Sequence, residues 1–302
     1  MKLRAGPSGL HLFERKTGWN VLVDEVRIPS SQWARAPLQV SVALTNACDL
    51  ACPYCYAPKA SGSLDAGRLA SWLRELDENG CFGVGFGGGE PTLHRRFIEI
   101  CQKTATTTNL AVTFTTHAHR ITLVHRESLK GSVHFVRVSV DGVGTTYEAL
   151  RGRPFAAIRS QLEIVREIAP FGINFVVNSR TFADLDGAID LALECGASEV
   201  LLLPEEPVDG MGGVEPETLS VLQKWVAKYR SAVPLAISES HSKAVCSDAP
   251  YAEAGLRAYA HVDANGFLKR SSYDKGGVLI GPGGVMEALQ KLEAGPVEGQ
   301  KR

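Results

Sequence analysis

The sequence predicts an α/β chain built on a mostly parallel sheet. Two observations carry this: short β-rich apolar runs alternate with helical patterns across residues 38–240, and the composition supplies a large core. With 302 residues, 44% hydrophobic and 22% charged, the chain suits one large domain, or one domain with an appendage. Six runs read as core strands: residues 40–44, 82–86, 110–115, 135–140, 173–177 and 199–203. Between them, apolar residues recur three and four apart, as helices with one buried stripe require. Leu69, Trp72, Leu73 and Leu76 form one such stripe, Ile158, Leu162, Val165 and Ala169 another, and Leu185, Ile189 and Ala192 a third before Gly196. A sixth helix is expected from Pro216, suited to a first helical position, burying Leu219, Leu222, Val226 and Tyr229; residues 234–238 read as a further edge strand. Periodicity alone admits either an open doubly wound sheet or a partial barrel. In both, ligands gather at the carboxyl ends of the strands.

Charge and composition exclude some classes of partner. The net charge of -1 gives no electrostatic case for nucleic acid or a membrane surface, since a phosphate-binding face normally shows basic excess. The longest apolar runs, such as residues 200–203, are far too short to span a bilayer. Seven cysteines, an odd number, and an opening without a charged-then-apolar leader predict a reducing, cytoplasmic setting.

The strongest chemical signal follows the first strand. Cys48, Cys52 and Cys55 are spaced Cys-x-x-x-Cys-x-x-Cys, with Tyr54 before the last thiol. Three thiolates on one loop can hold three corners of an iron–sulfur cube and leave the fourth iron open to a small molecule. A structural zinc site would call for a fourth Cys or His and usually a second Cys-x-x-Cys pair, which is absent. The second strand runs into Gly87-Gly88-Gly89-Glu90-Pro91, where glycines let backbone approach a ligand closely. Residues 83–88 also satisfy a G-x-G-x-x-G pattern, but the acidic residue a dinucleotide site needs about 20 positions on is missing from residues 112–119.

Together, the cysteine spacing and Gly88-Gly89-Glu90-Pro91 resemble the radical S-adenosylmethionine (SAM) superfamily. The resemblance implies a partial (β/α)6 TIM-like barrel as the radical SAM core. It also implies one 4Fe-4S cluster on Cys48, Cys52 and Cys55, and SAM as cofactor, cleaved reductively to a 5'-deoxyadenosyl radical that abstracts hydrogen from substrate. Gly88, Gly89, Glu90 and Pro91 then meet the SAM amino group, and Tyr54 packs near adenine. The fourth strand gives Ser139-Val140-Asp141-Gly142 with Arg151-Gly152 downstream, similar to the peptide- and cofactor-modifying branch; Ser139 and Asp141, two apart, share a face. The resemblance assigns Ser139 to the ribose and Arg151 to the SAM carboxylate, whose geometry the guanidinium fork matches. Asp141 is read equally as a ligand contact or as a turn-former before Gly142. Asn178 closes the fifth strand as a ribose or methionine-end candidate, and Leu203 belongs to an apolar wall for adenine.

Catalytic residues proper are unknown at this stage. His117 stands where many relatives have Asn, and reads either as a cavity residue or as a strand-end bystander. Cys246 lies in an irregular stretch after the last barrel unit and reads as a hydrogen-atom donor or a bystander thiol. Cys81, Cys101 and Cys195 read as small buried apolar residues.

The expected organisation is an N-terminal β-hairpin extension (1–37), the radical SAM core (38–240), and a small α+β C-terminal extension (241–302) whose tail is loose from Glu293 to Arg302. Asn265-Gly266 is a strong hairpin signal, resembling the twitch or SPASM extension of radical SAM maturases. Ser271 and Ser272 stand where that extension's first auxiliary-cluster cysteine is expected, so a single cluster is implied. A flavodoxin- or ferredoxin-type reductant and a peptide or small-molecule precursor are the implied partners. The alternatives are an RNA-modifying radical SAM enzyme, which would normally add a basic surface, and a non-catalytic iron–sulfur or zinc protein, which would leave the Gly-Gly-Glu motif without purpose.

Overall fold

The computed structural model describes residues 1–208, 210–238, 240–241 and 253–295. The chain opens with three short strands, β1 (Lys2–Gly6), β2 (Gly9–Phe13) and β3 (Asn20–Val23). It continues through β4 (Gln39–Thr45), α1 (Ala66–Glu78), β5 (Gly83–Gly88), α2 (Phe97–Thr107), β6 (Ala111–Thr116), α3 (Leu123–Leu129) and β7 (Phe135–Ser139). Two helices follow, α4 (Thr145–Arg151) and α5 (Ala156–Ile168). Then come β8 (Phe171–Val177), α6 (Leu185–Cys195), β9 (Glu199–Pro204), α7 (Pro216–Lys228) and β10 (Leu235–Ile237). The C-terminal part comprises β11 (Tyr259–Val262), β12 (Phe267–Lys269), β13 (Val278–Leu279) and α8 (Gly284–Ala294).

The strand order decides between the two architectures left open by periodicity. β4 to β10 lie side by side in chain order, all parallel. A doubly wound sheet reverses direction once and covers both faces with helices; here every crossover advances the same way, which, with the right-handed connection that parallel strands favour, puts the helices on one face. Val40, Val42, Val84, Phe86, Val112, Phe114, Val136, Val138, Val200 and Leu202 are buried on that face, in one core with Leu69, Leu73, Leu76, Ile158, Leu162, Val165 and Ile189. The alternating residues Ser41, Gly85, Thr113, Arg137, Ser139 and Leu203 are only half-buried and line the opposite, concave face. The sheet is therefore an open, partial barrel.

Local chemistry fixes the element ends. Asp65 caps α1 by accepting the Arg68 amide at 2.8 Å, and Pro216 opens α7. Arg15 donates to the carbonyls of Ala105, Thr108 and Leu110, satisfying groups at the C-terminus of α2.

The termini differ from the sequence expectation. The hairpin β2–β3 is present, but β1 also pairs with β2 to make three strands. Its charged residues hid it: Arg4 is fully buried, paired with Glu253 and donating to the Gly80 and Arg257 carbonyls. At the other end β11 adds to β4 in parallel, with β12 and β13 following antiparallel, so the extension continues the barrel sheet itself. The hairpin turn at Asn265-Gly266 closes through Asp263, as the sequence predicts. α8 takes Glu293 and Ala294 out of the expected loose tail, and residues 296–302 lie outside the described residues. Glu75 of α1 accepts the Val285 and Met286 amides at 2.7 and 3.1 Å, a carboxylate at the helix N-terminus that no local pattern announces.

Candidate active site

The loop after β4 leaves and returns at one place. Asn46 N–H and Thr45 Oγ1 both donate to the Gly62 carbonyl, at 3.0 and 3.1 Å, and Leu64 N–H to the Leu44 carbonyl at 3.0 Å. Between these pins lie Cys48, Cys52 and Cys55, all half-buried and free of disulfides. The Cys55 amide donates to the Cys52 carbonyl at 3.2 Å, closing a tight turn between them. Burial pushes the Cys48 thiol up, and likewise that of Cys52, where the Arg151 charge opposes it. Such thiols stay protonated until a metal displaces the proton. A cavity of about 750 Å³ borders the loop, lined by Asn46, Cys48, Lys59, Ser61, Ser63 and Asn265 among others.

The Gly-Gly-Glu segment clamps onto this loop. Gly89 N–H donates to the Thr45 carbonyl at 2.7 Å and Glu90 N–H to the Ala47 carbonyl at 2.8 Å. Gly88 has a φ of 123°, a conformation that favours glycine, and a Cβ on either Gly88 or Gly89 would lie 2.2 Å from a loop carbonyl oxygen. The Glu90 carboxylate is buried and shared among protein donors. Oε1 accepts Thr92 N–H, Thr92 Oγ1 and Thr116 Oγ1 at 3.2, 2.7 and 2.9 Å, and Oε2 accepts His117 N–H at 3.1 Å. It ties the end of β6 to the end of β5. Pro91 is buried beside it, opening a short helical turn.

A second buried carboxylate ties the loop to β7 and β8. Asp141 has no exposed surface; Oδ1 accepts Val176 N–H at 2.7 Å, and Oδ2 accepts the Tyr54 hydroxyl at 2.6 Å and the Arg151 guanidinium. Burial and the Asp141 charge push the Tyr54 phenol up, so it remains a donor. Arg151 Nη1 lies 3.6 Å from Cys52 Sγ, its Cζ lies 6.0 Å from the centre of the Tyr54 ring, and its Nε has no acceptor among the described residues.

His117 is buried rather than at a partly exposed strand end. Its Nδ1 accepts the His119 amide at 3.1 Å, which assigns the ring proton to Nε2 and makes the 2.9 Å contact to Asp49 Oδ1 a donation. Nε2 also lies 3.4 Å from Glu90 Oε2. Asp49 further pairs with Arg153 at 3.1 Å and Arg120 at 3.5 Å. Burial pushes the Asp49 carboxyl up, but the His117 hydrogen bond and the neighbouring charges outweigh it and hold it below the usual range. Ligand atoms of Cys48, Asp49 and His117 lie within 4.8 Å of one another, but the His117 ring nitrogen and the Asp49 oxygen are already spent on each other.

The remaining predicted residues divide. Ser139 and Leu203 line the concave face. Asn178 is buried in a turn: its Oδ1 accepts the Arg180 and Thr181 amides, and its Nδ2 donates to Glu205 at 2.6 Å. Cys246 lies outside the described residues. Cys81 and Cys101 are fully buried, with thiols pushed up by burial, and Cys195 is half-buried. Asp49, Thr92 and Thr116 were not singled out in the sequence; only the place of Asp49 between Cys48 and Cys52 could have drawn notice to it.

This donor set fits a cube-type cluster with one open iron and a bound amino acid moiety. Three unpaired thiols share one loop, and the unpartnered Arg151 Nε offers a buried donor suited to a carboxylate.

The family model described as the Radical SAM superfamily matches residues 42–192, half of the chain. The chain is 31% identical over 175 residues to the mycofactocin maturase MftC of Mycobacterium tuberculosis, covering 54% of this chain and 44% of that protein. It is 27% identical over 171 residues to the PqqA peptide cyclase of Ruegeria pomeroyi (54% and 46%), and 26% over 206 residues to a probable GTP 3',8-cyclase of Saccharolobus solfataricus (64% and 66%). It thus spans about half the length of the first two relatives. Among solved structures it resembles Streptococcus suis SuiB bound to S-adenosylmethionine, with a TM-score of 0.67 at 17% identity over 78% of this chain and 60% of that one. The AdoMet-bound anSMEcpe structure gives 0.59 at 17% over 79% and 75%. These likenesses bear out the partial-barrel fold. The family match, which takes in the cysteine loop, shows that the chain belongs to the radical SAM superfamily, whose cofactors are a 4Fe-4S cluster and S-adenosylmethionine.

Proposed function

We propose that this chain is a single-cluster radical SAM enzyme that acts on a peptide or a small-molecule biosynthetic precursor. The observation that carries the reading is the convergence of Cys48, Cys52 and Cys55 with Gly88 to Glu90 and Arg151 at the carboxyl ends of β4, β5 and β7. When bound, the cluster and SAM supply reductive cleavage of the sulfonium and abstraction of hydrogen from substrate. The protein's own part is placement. Cys48, Cys52 and Cys55 hold the metal; the Gly88–Gly89 backbone gives close approach; Arg151 Nε offers a donor to the SAM carboxylate. Ser139 and Leu203 present a hydroxyl and an apolar surface on the concave face, with Tyr54 at its rim. Glu90 and Asp141 keep these elements in register through the protein donors they collect.

A peptide substrate is supported by relatives named for maturase and peptide cyclase activities, and a small molecule by the GTP cyclase relative. A flavodoxin- or ferredoxin-type protein is the proposed electron donor, and the absence of auxiliary cysteines at Ser271 and Ser272 supports one cluster per chain. The test is anaerobic reconstitution followed by dithionite and SAM. The reading expects one 4Fe-4S cluster per chain and release of 5'-deoxyadenosine, both lost in Cys52→Ala. A protein that takes up only zinc, or a Cys52→Ala variant that still turns over, overturns it.

A further inference from the structure

We infer that Arg151 sets how readily the cluster of this chain accepts an electron, through its contact with the Cys52 sulfur. The inference rests on the reading that Cys48, Cys52 and Cys55 hold the cluster.

Arg151 ends α4 and reaches the loop with Nη1 3.6 Å from Cys52 Sγ, within range of an N–H···S hydrogen bond. Its side chain is 10% exposed, so water screens the charge weakly, and a guanidinium does not lose its proton. Among the described residues, Cys52 is the one cluster thiol that receives a cationic donor; Cys48 receives only the Leu50 amide, at 3.4 Å. The opposing charge is Asp141, which pairs with the other terminal nitrogen, Nη2, and so lies on the far side of the fork from the sulfur. Tyr54 and Val176 N–H hold Asp141, and through it hold the guanidinium against the sulfur. Reduction adds negative charge to a thiolate-bound cluster, so a positive group and an N–H donor at a ligand sulfur favour the reduced form. Arg151 acts on the cluster through its ligand; it is a positioning residue that carries a charge.

The experiment is a reductive titration of the reconstituted protein without SAM, followed by electron paramagnetic resonance, with iron content measured on each sample. Arg151→Met is expected to lower the reduced-to-oxidised ratio at a fixed potential at least tenfold, a downward shift of about 59 mV for one electron. Arg151→Lys, which keeps the charge, is expected to recover most of that loss. A fully loaded Arg151→Met protein that stays within twofold of wild type overturns the inference. Should Arg151→Met take up no iron, Arg151→Gln decides, and a ratio within twofold of wild type overturns it. A wild-type protein that binds no cluster removes the functional reading and this inference together; a loaded wild type whose variants do not shift removes the inference alone.

Discussion

Replacing Gly89 with Ala tests whether the Gly-Gly-Glu segment works as a clamp on the cysteine loop. The new Cβ would lie 2.2 Å from the Ala47 carbonyl oxygen and 2.7 Å from the Ala47 carbon and the Asn46 oxygen, where ordinary contacts begin at 3.4 Å. The loop must therefore retreat by roughly 1 Å, because the obstructing atoms are backbone and no side chain can swing away. Overpacking of this kind costs about 3 kcal/mol, which for a chain of this size lowers the melting temperature by about 6 °C. Ala47 adjoins Cys48, so the retreat also displaces a metal ligand whose bond length tolerates only about 0.2 Å of error. Iron bound per chain after anaerobic reconstitution should fall severalfold. Gly87→Ala is the internal control, since a Cβ there meets nothing within 4 Å, and stability and loading should stay near wild type. Equal melting temperatures and iron contents for Gly89→Ala and Gly87→Ala would refute the clamp.

Three other outcomes are expected. His117→Gln removes the buried donation to Asp49, while Arg153 and Arg120 still hold that carboxylate; stability should fall by about 1 kcal/mol with 5'-deoxyadenosine release retained. Release abolished at unchanged iron content and melting temperature would instead assign His117 to the chemistry. Tyr54→Phe leaves Asp141 without one of its donors and should cost about 2 kcal/mol in urea unfolding, an unchanged midpoint contradicting the hydrogen bond. His261 is buried on β11 with Nδ1 2.7 Å from Ser41 Oγ; burial first, and the Lys269 charge next, push it down to about 4 against the charges of Asp263 and Asp274. The folded ring stays neutral while the unfolded one takes up a proton below about pH 6.5, so stability is complete above 6.5 and is lost toward pH 4, by on the order of 3 kcal/mol. His261→Gln should flatten that slope in denaturant titrations at pH 7.5 and 4.5, and equal losses in both proteins would reject the assignment.

Much of the site was legible because its signals are local. The cysteine spacing, the glycines before Glu90 and the alternation of strand and helix all lie within a few residues of chain, where covalent adjacency fixes which groups can meet. Other features depend on partners that are remote in sequence. Asn178 reads as a ligand contact until Arg180 and Thr181 are seen to fill its oxygen, and Arg4 reads as a polar terminus until Glu253 is found beside it. Helix α3 escaped notice because it is only seven residues long and buries Leu129 alone, which leaves no apolar stripe to detect.

The sequence by itself determined the metal-binding loop, the parallel α/β core and the turn at Asn265-Gly266, because spacing and periodicity translate directly into which groups share a loop or a face. Periodicity left the sense of winding open and only the family resemblance implied it, while the tertiary structure alone decided that β11 joins β4 and what the buried charges do. Asp49 meets His117 across 68 residues and Arg151 meets Cys52 across 99. Those pairings exist only because the curved sheet brings successive strand ends to one mouth, where a buried charge must find a partner or stay protonated.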